Sequence, residues 1–310
     1  MFDKIITVTP NPSIDTTIWL DKFIYDDPIT VSREKNDAGG KGINVSRVLN
    51  FLSTDNIAIG IVGNKNADIL NDLLEEDRVK TDFCYIDGKI RENITAMLPD
   101  GKLLKMNRRG SAVNNDDINC LEKSIIVQLS GSKNALVHFG GSLPLGFSKD
   151  AYIKLILEIK RYAKVSIDCA VFKYADYQIL KPYLIKPNFE EIADIFETDI
   201  SLEEVCGYAK KLALECENVM VSLGEHGMIY VSGGESVHIT APQVEVKSTV
   251  GAGDSSVAGF ISSVAAGKSV YQSAEFATAC GTASVTTDGT ACVTRELVEK
   301  YLKLCKSQKI

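Results

Sequence analysis

The chain has 310 residues, a formal net charge of -7, 45% hydrophobic and 24% charged residues. That length suits one large α/β domain carrying an insertion, and the composition supplies a sizeable core. The acidic balance argues against nucleic acid or an anionic membrane as partner, since both reward a basic surface.

The N-terminal MFDKIITVTPNPSID lacks the basic start and long apolar run of a signal peptide. No apolar stretch approaches the ~20 residues of a bilayer span, so a cytoplasmic chain is expected. Eight cysteines (Cys84, Cys120, Cys169, Cys206, Cys216, Cys280, Cys292, Cys305) contain no C-x-x-C pair. They read as reduced thiols rather than a disulfide framework or a zinc site. His138, His226 and His238 lack H-E-x-x-H spacing, which speaks against a histidine-metal hydrolase.

In chain order, Lys4 to Val8 reads as a buried strand. Ser13 to Val31 alternates without helical period. Val45, Val48, Leu49 and Leu52 then follow i, i+3, i+4, i+7, one face of a helix. Ile57 to Val62 reads as the next strand. Phe83 to Asn107 alternates again, with Pro99-Asp100-Gly101 as a hairpin turn between Ile94–Leu98 and Lys102–Met106. Further strands are expected at Ala135 to Phe139, Val165 to Asp168 and Asn218 to Leu223. Between the last two, Val205, Tyr208, Ala209 and Leu212 form a helical stripe that opens with Ser201 and Glu204, a capping box. Strand–helix alternation predicts right-handed crossovers and a mostly parallel sheet with helices on both faces. The two alternating stretches suggest a flap over the mouth of a site, or alternatively an edge extension or dimer contact. Lys300, Lys303, Lys306 and Lys309 read as a solvated helix end.

Three segments carry chemistry. Ser248-Thr-Val-Gly251-Ala252-Gly253-Asp254 runs into an apolar helical stripe at Val257, Phe260, Ile261 and Val264. Glycines before a helix leave N–H groups aimed outward at its positive end, an anion site. An Asp in that first turn can take a proton from an attacking hydroxyl, and phosphoryl transfer needs little more than positioning and charge stabilisation. The bland reading is a glycine-capped helix start. Gly39-Gly40-Lys41-Gly42-Ile43-Asn44 also enters a helix, with a lysine inside the turn and Asn44 one turn on. That suits a phosphate and its hydroxyls, or else only a tight strand–helix turn. Neither segment fits G-x-x-x-x-G-K-[ST] or G-x-G-x-x-G. Lys186-Pro187-Asn188-Phe189-Glu190-Glu191 follows an apolar strand and places Asn188 and Glu191 at i, i+3. Such a pair can hold a hydrated Mg²⁺, or can simply lie on a surface helix. Ser222-Leu-Gly224-Glu-His-Gly227 reads as a hairpin turn or as a loop beside a nucleotide.

Taken together these residues resemble the ribokinase-type sugar kinases of the phosphofructokinase-B family. The likeness starts at Thr9-Pro10-Asn11-Pro12-Ser13-Ile14-Asp15 and passes through Gly39 to Arg47, Gly140-Gly141-Ser142-Leu143-Pro144, Lys186 to Glu191 and Ser222 to Gly227. It ends with Ser248 to Ser255 and the small-residue helix Ala274 to Ala283. The opening motif and G-G-K-G-x-N-V-[SA]-R are similar to the branch acting on phosphorylated ketohexoses, chiefly fructose 1-phosphate and tagatose 6-phosphate.

The resemblance implies a three-layer α/β/α ribokinase-like core plus a small β-sheet lid. Residues 1–12, 36–82 and 111–310 would form the core, and 13–35 and 83–110 the lid. It implies Asp254 as catalytic base and the N–H groups of Gly251, Ala252 and Gly253 as anion hole. Asp15, Gly39, Gly40, Lys41, Asn44, Arg91 and Asn107 would contact the sugar phosphate. Lys186, Asn188, Ser222, Gly224, Gly227, Ser248 and Gly253 would line ATP, and Asn188 with Glu191 would arrange Mg²⁺. The implied partner is a small phosphorylated sugar; separately, exposed lid strands often pair, which suggests a homodimer through the lid. Two departures stand out: Arg108-Arg109 between Asn107 and Gly110, and Asp168-Cys169-Ala170 in place of the usual D-[TS] pattern. From other classes, a non-catalytic sugar-phosphate sensor is opposed by the intact Asp254 and glycines. A dinucleotide oxidoreductase is opposed by the missing glycine fingerprint.

Overall fold

A computed structural model describes residues 2–287 and 293–310. The chain opens with β1 (Lys4–Thr9), β2 (Ser13–Leu20), β3 (Val31–Gly39), α1 (Lys41–Phe51), β4 (Ile57–Gly63), α2 (Ala67–Glu76) and β5 (Thr81–Ile86). It continues through β6 (Arg91–Met97), β7 (Leu103–Met106), α3 (Asn115–Leu129), β8 (Ala135–Gly140), α4 (Lys149–Ile159), β9 (Ala163–Asp168), α5 (Tyr174–Leu180) and β10 (Leu184–Ile185). Then come α6 (Phe189–Phe196), α7 (Val205–Leu212), β11 (Asn218–Ser222), β12 (Met228–Ser232) and β13 (Glu235–Thr240). The last elements are α8 (Ala252–Ala265), α9 (Val270–Val285), α10 (Arg295–Leu302) and β14 (Lys306–Lys309).

Ten of these strands form one sheet in the order β14-β13-β12-β11-β10-β9-β8-β1-β4-β5. The pairings from β11 through β5 are parallel, and β12, β13 and β14 add an antiparallel flank. The pleat divides the apolar strand residues between two layers. Ile6, Val137, Val165 and Val219 pack with Leu121, Tyr152, Leu180, Ile192 and Ala209 of α3 to α7. Ile5, Leu136, Leu184 and Met220 pack on the other side with Val48, Phe260, Ala277 and Val298 of α1, α8, α9 and α10. This is the expected core of a parallel sheet covered on both faces.

The remaining four strands form a second sheet, β3-β2-β6-β7, with β2 parallel to β6 and antiparallel flanks. Pro99-Asp100-Gly101 makes the expected hairpin turn, with Gly101 at φ 82. The alternating stretches differ from the sequence reading at two edges. Thr81–Ile86 belongs to the large sheet, beside β4, so the second stretch supplies the small sheet only from Arg91. β3 runs on to Gly39, and its last residue leads directly into the Gly40 cap of α1.

Other local expectations are corrected. The Glu204 carboxylate accepts both the N–H and the O–H of Ser201, at 3.0 and 2.7 Å. Helix α7 nevertheless starts at Val205 with no side-chain cap, so the pair closes a turn before the helix instead of capping it. Lys306 and Lys309 lie on β14, an exposed edge strand, and Lys309 pairs with Glu235 at 2.7 Å. Lysines on a sheet edge discourage further strand pairing. The reading of all cysteines as reduced thiols also fails. Cys84 of β5 and Cys120 of α3 form a disulfide with Cα atoms 6.1 Å apart. Two cysteines 36 residues apart meet because α3 returns over the sheet edge, a tertiary event without a local signature. Cys169, Cys206, Cys216, Cys280 and Cys305 are free, and Cys292 lies outside the described residues. Among the described residues, no helix is long and apolar enough to cross a membrane.

Candidate active site

The carboxyl ends of β1, β8, β9 and β10 point to one edge of the large sheet, and the three chemistry-bearing segments meet there. At this edge Gly40 is the N-cap of α1, and its φ of 112 is a backbone state that side chains disfavour. Gly42 sits against β1: a Cβ there would lie 2.5 Å from Thr9 Oγ1 and 2.7 Å from the Val8 carbonyl oxygen. The glycine run therefore lets α1 seat directly on the strand that leads into the lid.

Helix α8 enters from the other side. Gly251 is its N-cap at φ 79, and Ser248 Oγ accepts the Val250 N–H at 3.2 Å. Asp254, in the first turn, is buried. Asn44 donates its side-chain amide to Asp254 Oδ2 at 2.8 Å. Burial foremost, with the Asp168 charge second, pushes the Asp254 carboxyl up to about 6, against the opposing pull of Asn44, Lys41 and Lys186. The buried Lys186 reaches the same helix start, where a Cβ on Gly253 would stand 2.9 Å from its Nζ. Gly253 is thus needed for this ammonium to approach the turn.

Lys41, the first residue of α1, reaches across the sheet edge to Asp168 at the end of β9. Its Nζ lies 2.7 Å from Asp168 Oδ1 and 3.5 Å from Glu191 Oε1. Burial lowers the Lys41 ammonium's proton affinity, but Asp168, Glu191 and Asp254 outweigh it, so its pKa stands above the ordinary lysine value. Asp168 is likewise held below its ordinary value: burial pushes it up, and Lys186 and Lys41 more than reverse that. Beneath this pair His138 is buried, its Nδ1 3.0 Å from Ser166 Oγ, and desolvation lowers it to about 4.

Asn188 and Glu191 do not form an open side-by-side pair as the i, i+3 spacing suggests. Asn188 is the N-cap of α6; its Oδ1 accepts the Glu191 N–H at 2.7 Å, while Glu191 Oε2 accepts the Asn188 N–H at 2.9 Å. This reciprocal capping leaves Glu191 Oε1 facing Lys41. Among the described residues, no cluster of three or more His, Cys, Asp and Glu side chains could hold a metal ion unaided. Ser222 bridges to Asn188 in parallel register. Beyond it, Gly224 and Gly227 take φ values of 59 and 87 in the turn between β11 and β12.

The lid supplies the other wall. Asp15 on β2 accepts hydrogen bonds from Ser13 Oγ and Asn93 Nδ2, both at 2.8 Å. Gly39 packs face to face with that carboxylate. Arg91 is drawn two ways, desolvated by its surroundings and steadied by Asp15. Its Nε is buried without a hydrogen-bond partner, and so is Asn44 Oδ1. Buried polar atoms are ordinarily paired, so these two fit a polar ligand arriving between lid and core. Asn107 is exposed beside the lid. Arg108 pairs outward with Glu92 at 3.3 Å, which places it on the lid surface.

Sequence reading missed Asp168, His138 and Asn93. Asp168 closes an apolar strand run and enters the sequence reading as the end of that strand and as a departure from a pattern, without a role in the site. An acidic residue ending a buried parallel strand was the available signal.

Glycine turns converging on a buried carboxylate at the carboxyl edge of an α/β sheet define a small-molecule phosphoryl-transfer enzyme. Residues 9–296 match the pfkB family of carbohydrate kinases. The chain belongs to that family. It is 32% identical over 285 residues to a 1-phosphofructokinase of Borreliella burgdorferi, covering 90% of this chain and 91% of that one. It is 30% identical over 264 residues to a tagatose-6-phosphate kinase of Staphylococcus epidermidis, covering 83% and 84%. In fold it matches phosphofructokinase-2 of Escherichia coli, solved with fructose 6-phosphate, at TM-score 0.88 and 23% identity over 98% and 99% of the two chains.

Proposed function

We propose that this kinase transfers the γ-phosphoryl group of ATP to a phosphorylated ketohexose, fructose 1-phosphate first, giving fructose 1,6-bisphosphate. The observation that carries the reading is the buried Asp254 at the glycine-capped start of α8, oriented by Asn44 and raised to about 6. A carboxylate poised one unit below neutral is ionised at pH 7 yet basic enough to accept a proton.

In this reading the acceptor hydroxyl lies against Asp254 and passes its proton to the carboxylate as its oxygen attacks phosphorus. The N–H groups of Gly251, Ala252 and Gly253 hold the phosphoryl oxygens, and Lys186 adds charge beside Gly253. Asn44, Asp15, Gly39, Gly40, Lys41 and Arg91 receive the sugar and its existing phosphate, with Asn107 at the margin. The unpartnered Arg91 Nε and Asn44 Oδ1 support that placement. Ser222, Gly224, Gly227 and Ser248 line ATP near Asn188. Bound Mg²⁺ would neutralise charge on the phosphates. Glu191, held in place by its reciprocal cap with Asn188, would help hold the ion, together with water molecules and the phosphates. The β2–β3–β6–β7 sheet closes over the sugar and keeps water from the phosphoryl group.

Tagatose 6-phosphate is the second reading, favoured by the Staphylococcus epidermidis relative. Both sugars carry a phosphate at one end and the reacting hydroxyl at the other. A homodimer through the lid is supported by exposed Leu103, Leu104 and Met106 on its outer strand. Phosphorus NMR of the product tests the chemistry. A new phosphate on C6 of fructose 1-phosphate is expected beside ADP; ADP and inorganic phosphate as the only new signals would overturn it.

A further inference from the structure

At the opposite end of the same strands lies a second cavity, of about 270 Å³, under the amino ends of β8 and β9. Ala135 and Ala163 stand at its rim, five residues before Gly140 and Asp168 at the active-site edge. At ~3.3 Å per residue the two sites are about 16 Å apart along one strand.

This cavity is basic in an acidic protein. Lys133, Lys160, Lys164 and Lys181 line it, and Glu217 is its one carboxylate. Two of the lysines have partners. Lys160 Nζ donates to the Leu180 and Lys181 carbonyl oxygens at 2.7 and 2.6 Å, closing the end of α5. Lys164 Nζ lies 2.7 Å from Glu217 Oε2 and 4.2 Å from the centre of the buried Tyr183 ring. Lys133 and Lys181 are exposed at the rim, and among the described residues neither side chain makes an ion pair. Lys181 adopts φ 39, ψ 62 at the C-cap of α5, a left-handed state in which glycine is the ordinary choice. A lysine there retains a side chain where glycine would be easier, at a residue that lines the cavity. The crowding has an electrostatic sign: burial first, and the neighbouring Lys181 as well, lower the proton affinity of Lys160, while Glu217 opposes them.

Like charges held around a concavity repel one another and focus a positive potential into it. A ligand with several negative charges relieves that repulsion. We propose that this cavity binds a small organic anion bearing two phosphate or carboxylate groups, at a site separate from the one where phosphoryl transfer is read. Lys133 and Lys181 grip one anionic group at the rim. Lys164, shared with Glu217, and Lys160 face the other.

The probe is inorganic pyrophosphate, titrated into the full chain by calorimetry without Mg²⁺ and with both halves of the kinase site saturated by ADP and fructose 1-phosphate. Wild type is expected to bind it, and the double variant Lys133→Ala/Lys181→Gly to bind at least tenfold more weakly; glycine keeps the left-handed backbone of position 181. Glu217→Gln, which frees Lys164 and removes the opposing charge, is expected to bind at least threefold more tightly. These opposite directions separate a built site from general damage, and circular dichroism identifies a misfolded variant. Equal affinity in all three proteins overturns the proposal, as does no binding by wild type. Because binding is read directly, failure here leaves the kinase reading standing.

Discussion

Asn44 on α1 and Asp254 on α8, 210 residues apart, meet in a 2.8 Å hydrogen bond at the carboxyl edge of the sheet. The amide donates, so the bond favours the ionised carboxylate and opposes the burial that raises it. The two helices that begin with glycine turns are thereby tied at their starts, and the pair sets the proton affinity on which the proposed chemistry depends.

The first consequence is a pH profile. Asp254 must be ionised to accept a proton, so log kcat/KM is expected to fall with unit slope as pH drops through about 6. Asn44→Leu removes the bond that lowers this value, and the midpoint should move upward. A profile flat from pH 5 to 8 in the wild type would remove Asp254 from the proton transfer.

Asp254→Asn should lower kcat by at least roughly 10²-fold, the low end for loss of a general base. The same change should stabilise the fold at alkaline pH. The folded value of about 6 stands above the ordinary 3.8. Stability from this group is therefore fully present below 3.8 and lost as pH rises through 6. At pH 8 the cost of ionising the buried group is on the order of 2–3 kcal/mol. Thermal melts of both proteins at pH 4 and pH 8 check this: the variant should gain on wild type only at pH 8.

Lys41→Met strips Asp168 of its 2.7 Å partner. Leaving one member of a buried pair alone costs about 3–5 kcal/mol. The lysine side chain is 34% exposed, so a loss of about 2 kcal/mol in urea denaturation is expected after allowing for solvent screening. In kinetics, KM for the phosphosugar should rise far more than KM for ATP. Equal rises would place Lys41 away from the sugar.

Two glycines give opposite outcomes. Gly42→Ala drives a Cβ to 2.7 Å from the Val8 carbonyl oxygen, backbone that cannot yield cheaply. It should destabilise by more than about 2 kcal/mol, as overpacking does. Gly207 lies within α7, and a Cβ there meets nothing within 4 Å. Gly207→Ala should stabilise by about 0.5–1 kcal/mol. Chemical denaturation of both variants decides it.

What the sequence disclosed follows the range of the interactions. Strands such as Lys4–Thr9 and Ala135–Gly140 are continuous apolar runs, and the glycine turns of Gly39–Gly42 and Gly251–Gly253 are local backbone demands. Both are legible in short windows of sequence. The Lys41–Asp168 pair spans 127 residues, and the Cys84–Cys120 link depends on where α3 settles. Such partners are fixed by packing and leave no spacing to read. Asn188 and Glu191 are the intermediate case: their spacing was visible, but the same i, i+3 offset serves metal binding and helix capping alike. β14 misled because four exposed residues carry no core pattern, and only the free edge of β13 recruits them as a strand.

The most direct test of the account is ADP release with MgATP and, in parallel, fructose 1-phosphate, tagatose 6-phosphate or fructose 6-phosphate. The highest kcat/KM is expected with fructose 1-phosphate, and no comparable turnover when Asp254 is replaced by Asn. Binding of a sugar phosphate without turnover of any of the three would contradict it and leave a sugar-phosphate sensor on a kinase fold.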